Sequence, residues 1–425
     1  MNEATLSDLE KFHLCILYLV KLFCLNHRIG FGNSLLTCST IVEGTVVLVC
    51  VSVNSTKLHY NTNTKEFMFL TYTNPQVNII FHDIPTTSNI LKSSELSPLH
   101  LILERELNVQ KWSDPNSFPR NGMDVLFPTV YALSETKCVV VLRFHSAICD
   151  RATAASVLRE LMEMVKVTER GETVQKGTKN DSEGTMAIES LVPSGMAKKT
   201  LWAHGMDMLG YSVNSFRLTN LKFDNAKGVR CSEVVRLRMN KEDTSRLLAG
   251  CNSRGIKLCG ALAAAGLIAA HSTKPHSDQL KKKYGVVTLT DCRSQLEPAL
   301  SIHHYGFYHS AILNTLTVKR NENFWDLAER SYKDFAHYKK CNRHFSDMSD
   351  INFLMSKAIE NPSVTASSSL RTSLLSVFED PVLDDSSKIQ QEIDVEDYMG
   401  CASVHGVGPS IALFDTVRDG VLDCA

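Results

Sequence analysis

The sequence predicts a two-domain α/β (α+β) protein. Three observations predict it: a length too great for one ordinary domain, an alternation of strand-like and helix-like apolar patterns, and one long polar stretch that interrupts the alternation. At about 150 residues per domain, 425 residues suggest two or three domains. Apolar content of 44% with 21% charged residues is that of a globular chain with a sizeable core. The halves before and after the polar stretch share a crude strand–loop–helix logic, without an internal repeat or a Gly-rich phosphate loop.

Val46–Val53 reads as a buried β-branched strand. Thr56–Tyr60 and Glu66–Tyr72 flank the turn-like NTNTK and suggest a hairpin, and Val77–Phe81 is a further strand. Pro98–Leu107 reads as a helix with Ser97 as N-cap and Pro98 at its first position. Met123–Leu133 and Lys137–Phe144, joined through Ser134–Thr136, are strongly apolar, which predicts a hairpin central in its sheet. A loop, His145–Ala152, leads into a helix, Thr153–Val165, whose apolar residues follow 3–4 spacing, with Thr153 as its cap.

Lys166–Glu189 contains ERGETVQKGTKNDSEG, a polar, Gly-containing composition without apolar periodicity, and reads as a linker. The predicted boundary lies between it and about residue 230, because Leu201–Leu209 still reads as a short packed helix. The second half restarts with the strand Glu233–Met239 and the helix Lys241–Asn252, capped by Asn240 with Asp243 in its first turn. Ile256–His271 is Ala-rich and apolar almost all round, as a helix buried on most sides would be. Strands Tyr284–Thr290 and Ala311–Val318 and a helix Asn323–Lys339, anchored by Trp325 and Leu327, complete the pattern.

Lys plus Arg is 45 and Asp plus Glu is 46, a balance that gives no electrostatic reason to expect nucleic acid or an anionic membrane. The thirteen cysteines are odd in number and scattered, with no CxxC pair and no zinc-finger spacing; they read as free, mostly buried thiols of a reducing cytosol. Leu14–Cys24 is apolar but short and broken by Lys21, and the acids before it are the opposite of a signal-peptide start. A cytoplasmic, membrane-free monomer is the expectation.

Chemistry concentrates in Arg143–Arg151, RFHSAICDR, where a strand end brings His145, Ser146, Cys149, Asp150 and Arg151 together. Loops at strand ends are where α/β proteins place reactive groups, and a histidine beside a carboxylate can serve as an oriented base. A second segment, TLTDCR at Thr288–Arg293, opens a loop after a strand in the other half; on spacing alone Asp291 and Arg293 read as a structural ion pair. In SIHHYGFYHS, His303, His304 and His309 read as histidines satisfied by hydrogen bonds. The trio has no neighbouring carboxylate cluster to support a metal, so no metal site is expected. Tyr305, Phe307 and Tyr308 read as core residues, and His405 lies in a Gly-containing stretch near the C-terminus.

These residues resemble the chloramphenicol-acetyltransferase-like superfamily of CoA-dependent acyltransferases, which includes BAHD acyltransferases, alcohol acetyltransferases and peptide-synthesis condensation domains. RFHSAICDRATAASVLREL resembles the HxxxD segment, TLTDCRSQLEPAL the second-lobe VDxR-like segment, and MNKEDTSRLLAGCNSRGIKLCGALAAAGLIAA the strand, helix and Ala-rich helix of that lobe. The resemblance spans roughly residues 56–423. It implies two lobes, each a mixed sheet with helices, and a tunnel between them. They are read as 1–165 (with 1–41 atypical) and 231–425, with 166–230 as the crossover. It implies a histidine general base acting on an alcohol or amine that attacks acyl-CoA, with no bound cofactor. It also implies a structural pair between Asp150 and Arg293, tunnel lining as the other reading of Tyr305, Phe307 and Tyr308, a tunnel-facing His405, and substrate or CoA contacts at Asp291, Tyr305 and His405.

The motif is shifted. Counting back four from Asp150 lands on Ser146, and Arg151 replaces the Gly that follows the motif Asp. Either Ser146 stands where the catalytic histidine belongs, giving a ligand- or partner-binding relative, or the loop is one residue longer and His145 is the base. GCASVHGVGPSIALFDT stands where the family has DFGWG, and the family continues beyond VLDCA into a further strand and helix, so the second lobe reads as truncated.

Overall fold

A computed structural model describes residues 2–5, 18–26, 56–61, 66–72, 78–92, 95–109, 122–169, 187–221, 231–272, 281–360, 371–404 and 408–425. The expected strand Val46–Val53, most of the linker Lys166–Glu189, and His405 lie outside these residues.

Strand Lys137–His145 organises the first half. It lies third in a five-stranded sheet ordered Val395–Ala402, Tyr18–Asn26, Lys137–His145, Leu126–Ala132, Ile80–His82. Its neighbours on both sides are antiparallel, with Tyr18 opposite His145 and Thr129 opposite Val141. Val139, Val140 and Val141 are fully buried, as the unbroken apolar run of an interior strand requires. Helix Pro98–Leu107 contributes Ile102 and Leu103 to this core, and helix Arg151–Glu169 contributes Val157 and Leu161, all at 0% exposure. Each such side chain contributes about 1.5–3 kcal/mol by leaving water.

The run Met123–Leu133 does not stay in one sheet. Met123–Asp124 pairs with strand Thr56–Asn61 in a separate four-stranded sheet, and only Leu126–Ala132 joins the five-stranded one. The switch falls at Val125, whose carbonyl accepts the His145 amide at 2.8 Å, so the strand end that carries RFHS is pinned at that corner.

In the second half, strands His309–Lys319, Lys281–Asp291, Arg371–Phe378 and Gly408–Ala412 form a four-stranded mixed sheet in that order. Helix Leu258–Ser272 is buried along most of its length, matching its nearly all-apolar sequence. Gly260 lets it approach helix Phe324–Lys340: a Cβ there would lie 2.8 Å from the Ala328 carbonyl oxygen. A small sheet of Val382–Asp384, Asp415–Arg418, Val421–Cys424 and Leu237–Met239 completes this part. Strand Val395–Ala402 belongs by sequence to the second half but is hydrogen-bonded into the five-stranded sheet of the first.

Several caps lie where local sequence puts them. Ser97 Oγ accepts from His100 N, Asn240 Oδ1 from Asp243 N, and Asn323 Oδ1 from Trp325 N. Two helices differ. The helix expected from Thr153 starts at Arg151, because Asp150 rather than Thr153 is its cap: Asp150 Oδ1 accepts the Thr153 amide at 2.8 Å. The helix expected over Leu201–Leu209 runs Leu201–Arg217, and it is not packed on all its apolar side, since Leu201 is 91% and Trp202 77% exposed. The nine cysteines whose side chains are described are free thiols, seven of them buried. Among the described residues no single helix is long and apolar enough to cross a membrane.

Candidate functional site

The site is built where the end of strand Lys137–His145 meets the second half of the chain. Strand Lys137–His145 ends in one 3-10 turn, Ser146–Ile148, before helix Arg151–Glu169. This turn forces residues 145–150 inward: His145, Ser146 and Asp150 are 1%, 2% and 3% exposed. His145 caps the turn, its Nδ1 accepting from the Ala147 amide at 3.2 Å. In a neutral ring that contact puts the proton on Nε2, which is then a donor. A base at residue 145 therefore requires the contact to be given up.

Asp150 is surrounded. Arg293 Nη1 lies 2.9 Å from Oδ2 and Arg293 Nη2 donates to Oδ1 at 3.1 Å, a bidentate pair between the two halves. Thr153 N donates to Oδ1 at 2.8 Å and Tyr308 N to Oδ2 at 2.9 Å. His309 Nδ1 sits 3.0 Å from Oδ2, off the angle of a good hydrogen bond. Burial alone would push the Asp150 carboxyl up, but His309 and Arg293 hold it far below the ordinary carboxylate range. Burial likewise works against Arg293, and Asp150 followed by Asp291 holds its guanidinium above the usual value.

Segment 304–308 wraps this carboxylate through its backbone. The Asp150 amide donates to Gly306 O at 3.1 Å, and Thr153 Oγ1 donates to the same oxygen at 2.9 Å. Asp291 orients Arg293, its Oδ1 accepting from Arg293 N at 3.0 Å and Nη1 at 3.2 Å. Tyr305 packs against the first core with its hydroxyl toward Glu160, and burial followed by that carboxylate raises its pKa. Asp291 and Tyr305 thus act on their neighbours in this structure.

Arg151, the residue in place of the motif Gly, makes a second buried bridge. Its Nη1 lies 2.7 Å from Asp415 Oδ1, and its guanidinium stacks 3.7 Å from the Phe378 ring centroid. Burial pushes Asp415 up against the pull of Arg151.

A cavity of about 50 Å³ adjoins the clasp, lined by Leu289, Phe307, His309, Ser310, Ala311, Met348, Ile351 and Asn352. Neither His145 nor Ser146 lines it. Sequence reading missed His309 as a site residue. The available signal was the pairing of strands Lys281–Asp291 and His309–Lys319, whose register sets His309 opposite Asp291 and so beside the Arg293 loop. The three carboxylates that converge elsewhere, Asp207, Asp347 and Asp350, already hold a cation. Lys199 Nζ lies 2.7 Å from Asp207 and 3.0 Å from Asp350, and also contacts Asp347.

No protein-family model matches this chain, and none of the curated proteins compared with it matches. Solved structures do match over almost all of it. The trichothecene 15-O-acetyltransferase of Fusarium sporotrichioides is 11% identical, with 99% of this chain and 89% of that chain covered at a TM-score of 0.67. Polyketide synthase associated protein 5 of Mycobacterium tuberculosis is 13% identical, with 99% and 92% covered at 0.60. The first condensation domain of the CDA synthetase is 12% identical, with 100% and 90% covered at 0.57. At such identities the likeness is one of fold.

Proposed function

For a chain with the two-lobed fold of condensation domains and BAHD acyltransferases, in a divergent sequence, we propose an acyltransferase that moves an acyl group from acyl-CoA to a small alcohol or amine. The observation that carries the reading is the clasp of Asp150 on Arg293. It joins the HxxxD-like turn of one half to the second segment of the other, in a fold whose solved members include an acetyltransferase. The clasp fixes the turn rigidly at the strand end, where a reacting group needs a fixed position. No metal or bound cofactor enters the scheme: acyl-CoA is a co-substrate, and an imidazole takes the proton of the acceptor.

Incubation with a panel of acyl-CoAs and small alcohols and amines, read by mass spectrometry, tests it. Free CoA and acylated acceptor should form in equal amounts. CoA binding without either product contradicts transfer.

That second outcome belongs to the competing reading, a ligand- or partner-binding relative without turnover. One observation favours it: with Asp150 seated on Arg293, the residue four positions earlier is Ser146, and a hydroxyl is no base at neutral pH.

A further inference from the structure

We infer that helix Leu201–Arg217 docks on an anionic phospholipid surface and lies flat on it. The helix is mounted with its polar side inward. His204, Asp207 and Tyr211, three and four positions apart, form one helical face. His204 Nδ1 lies 2.5 Å from Asp350 Oδ1, and Tyr211 donates its hydroxyl proton to Asp347. Asp207 lies 2.9 Å from Arg343 Nη2 and 2.7 Å from Lys199 Nζ. Asp347 and Asp350 are buried. These bonds fix the rotation of the helix about its own axis.

The consequence is an apolar face in water. Trp202, Met206, Leu209 and Val213 recur at 3–4 spacing on the side away from the network, with Leu201 at the helix start. All five are exposed, from 39% at Val213 to 91% at Leu201. Gly205 has open space where a Cβ would stand. Single exposed apolar residues are ordinary, but a stripe of them turned outward by buried charges marks an interaction face.

Charge decides what covers it. Among the described residues of this helix, of helix Met348–Glu360 and of the turn Lys198–Thr200, the exposed charges are Lys198, Arg217 and Lys357, all cations. The acids Asp207, Asp347 and Asp350 are turned onto Lys199, His204 and Arg343. Arg217 continues the stripe one turn beyond Val213, and Lys198 precedes its other end. The overall balance of 45 basic and 46 acidic residues thus conceals a local cationic rim.

A second copy of the chain fits this rim poorly. Pairing two such helices about a two-fold axis, antiparallel or parallel, sets cation against cation at both ends. An anionic lipid–water interface meets both features at once. Trp202 and its apolar neighbours enter the headgroup region, while Lys198 and Arg217 reach the phosphates.

Cosedimentation of the full chain with vesicles of phosphatidylcholine plus phosphatidylserine, and with phosphatidylcholine alone, tests the inference. Binding should favour the anionic vesicles and weaken with added salt. Lys198→Gln/Arg217→Gln should weaken it about 30-fold, at about fivefold for each cation, and Trp202→Glu/Leu209→Glu should abolish it. Both pairs are exposed, so urea midpoints close to wild type confirm that the variants fold. A third variant reads the contact itself. Bromine-labelled phospholipid should quench tryptophan fluorescence in the wild type, and Trp202→Phe, which leaves the other two tryptophans, should lose that quenching. No binding by the folded wild type, equal binding to neutral vesicles, or quenching that persists in Trp202→Phe overturns the inference. So does self-association, in place of vesicle binding, that Trp202→Glu/Leu209→Glu abolishes.

Discussion

The Asp150 carboxylate and the Arg293 guanidinium, 143 positions apart, meet at 2.9 Å with both side chains buried. The next residue, Arg151, meets Asp415 at 2.7 Å with the charges reversed. One helix start therefore sends an anion and a cation into the second half of the chain. Buried pairs of this kind add little net stability, but breaking one leaves an uncompensated charge.

Asp150→Ala should destabilise the chain by about 3–5 kcal/mol, because Arg293 stays buried without its main partner and the helix loses its cap. Urea unfolding checks it. Adding Arg293→Met should recover much of the loss, since the stranded charge is gone.

Arg151→Gly restores the residue that the acyltransferase motif carries, yet it should also cost about 3–5 kcal/mol. Asp415 is 1% exposed and would lose the cation that opposes its burial. A paired Arg151→Met/Asp415→Leu variant should unfold at a urea concentration near that of the wild type.

Ser146→His supplies an imidazole at the HxxxD position. In a site only 2% exposed, the larger ring should cost about 1–3 kcal/mol by overpacking. A rise of about 10²-fold or more in kcat would show that the missing group was at position 146.

Stability should fall with acid in two stages. Burial, aided by Lys339, pulls His344 from 6.5 down to about 4. The unfolded chain therefore binds a proton there first, and this contribution, complete above pH 6.5, is lost as pH falls toward 4. Burial would raise Glu379, but Lys257 at 2.8 Å, Lys339 at 2.5 Å and the Thr290 hydroxyl hold it at about 2. Its contribution is complete above the ordinary 4.5 and is lost as pH falls through 2. Each stage is on the order of 3 kcal/mol. Urea midpoints followed from neutral to acid pH should show both stages, and His344→Gln should remove the upper one.

What the sequence made legible was local. Ser97, Asn240 and Asn323 cap the helices that follow them because a cap needs only its own next turn. The hairpin around Ser134–Thr136 and the buried Ala-rich helix follow from unbroken apolar runs. The proximity of residues 150 and 293 came through resemblance, since no local pattern links them. Position 150 was read as a clasp residue and not also as a cap, which moved the helix start from Thr153 to Arg151. Strand Val395–Ala402 pairs with a strand near the other end of the chain, and His309 reaches Asp150 through strand register. Both depend on long-range pairing, which hydrophobic period does not encode.

The most direct test is a crystal structure with a non-hydrolysable thioether analogue of acyl-CoA and a primary alcohol. The account places the hydroxyl and the reacting carbon together at the end of strand Lys137–His145, with an imidazole within hydrogen-bond reach of the hydroxyl, about 2.6–3.2 Å. An analogue bound away from that turn, or a hydroxyl with no imidazole in reach, would contradict the account.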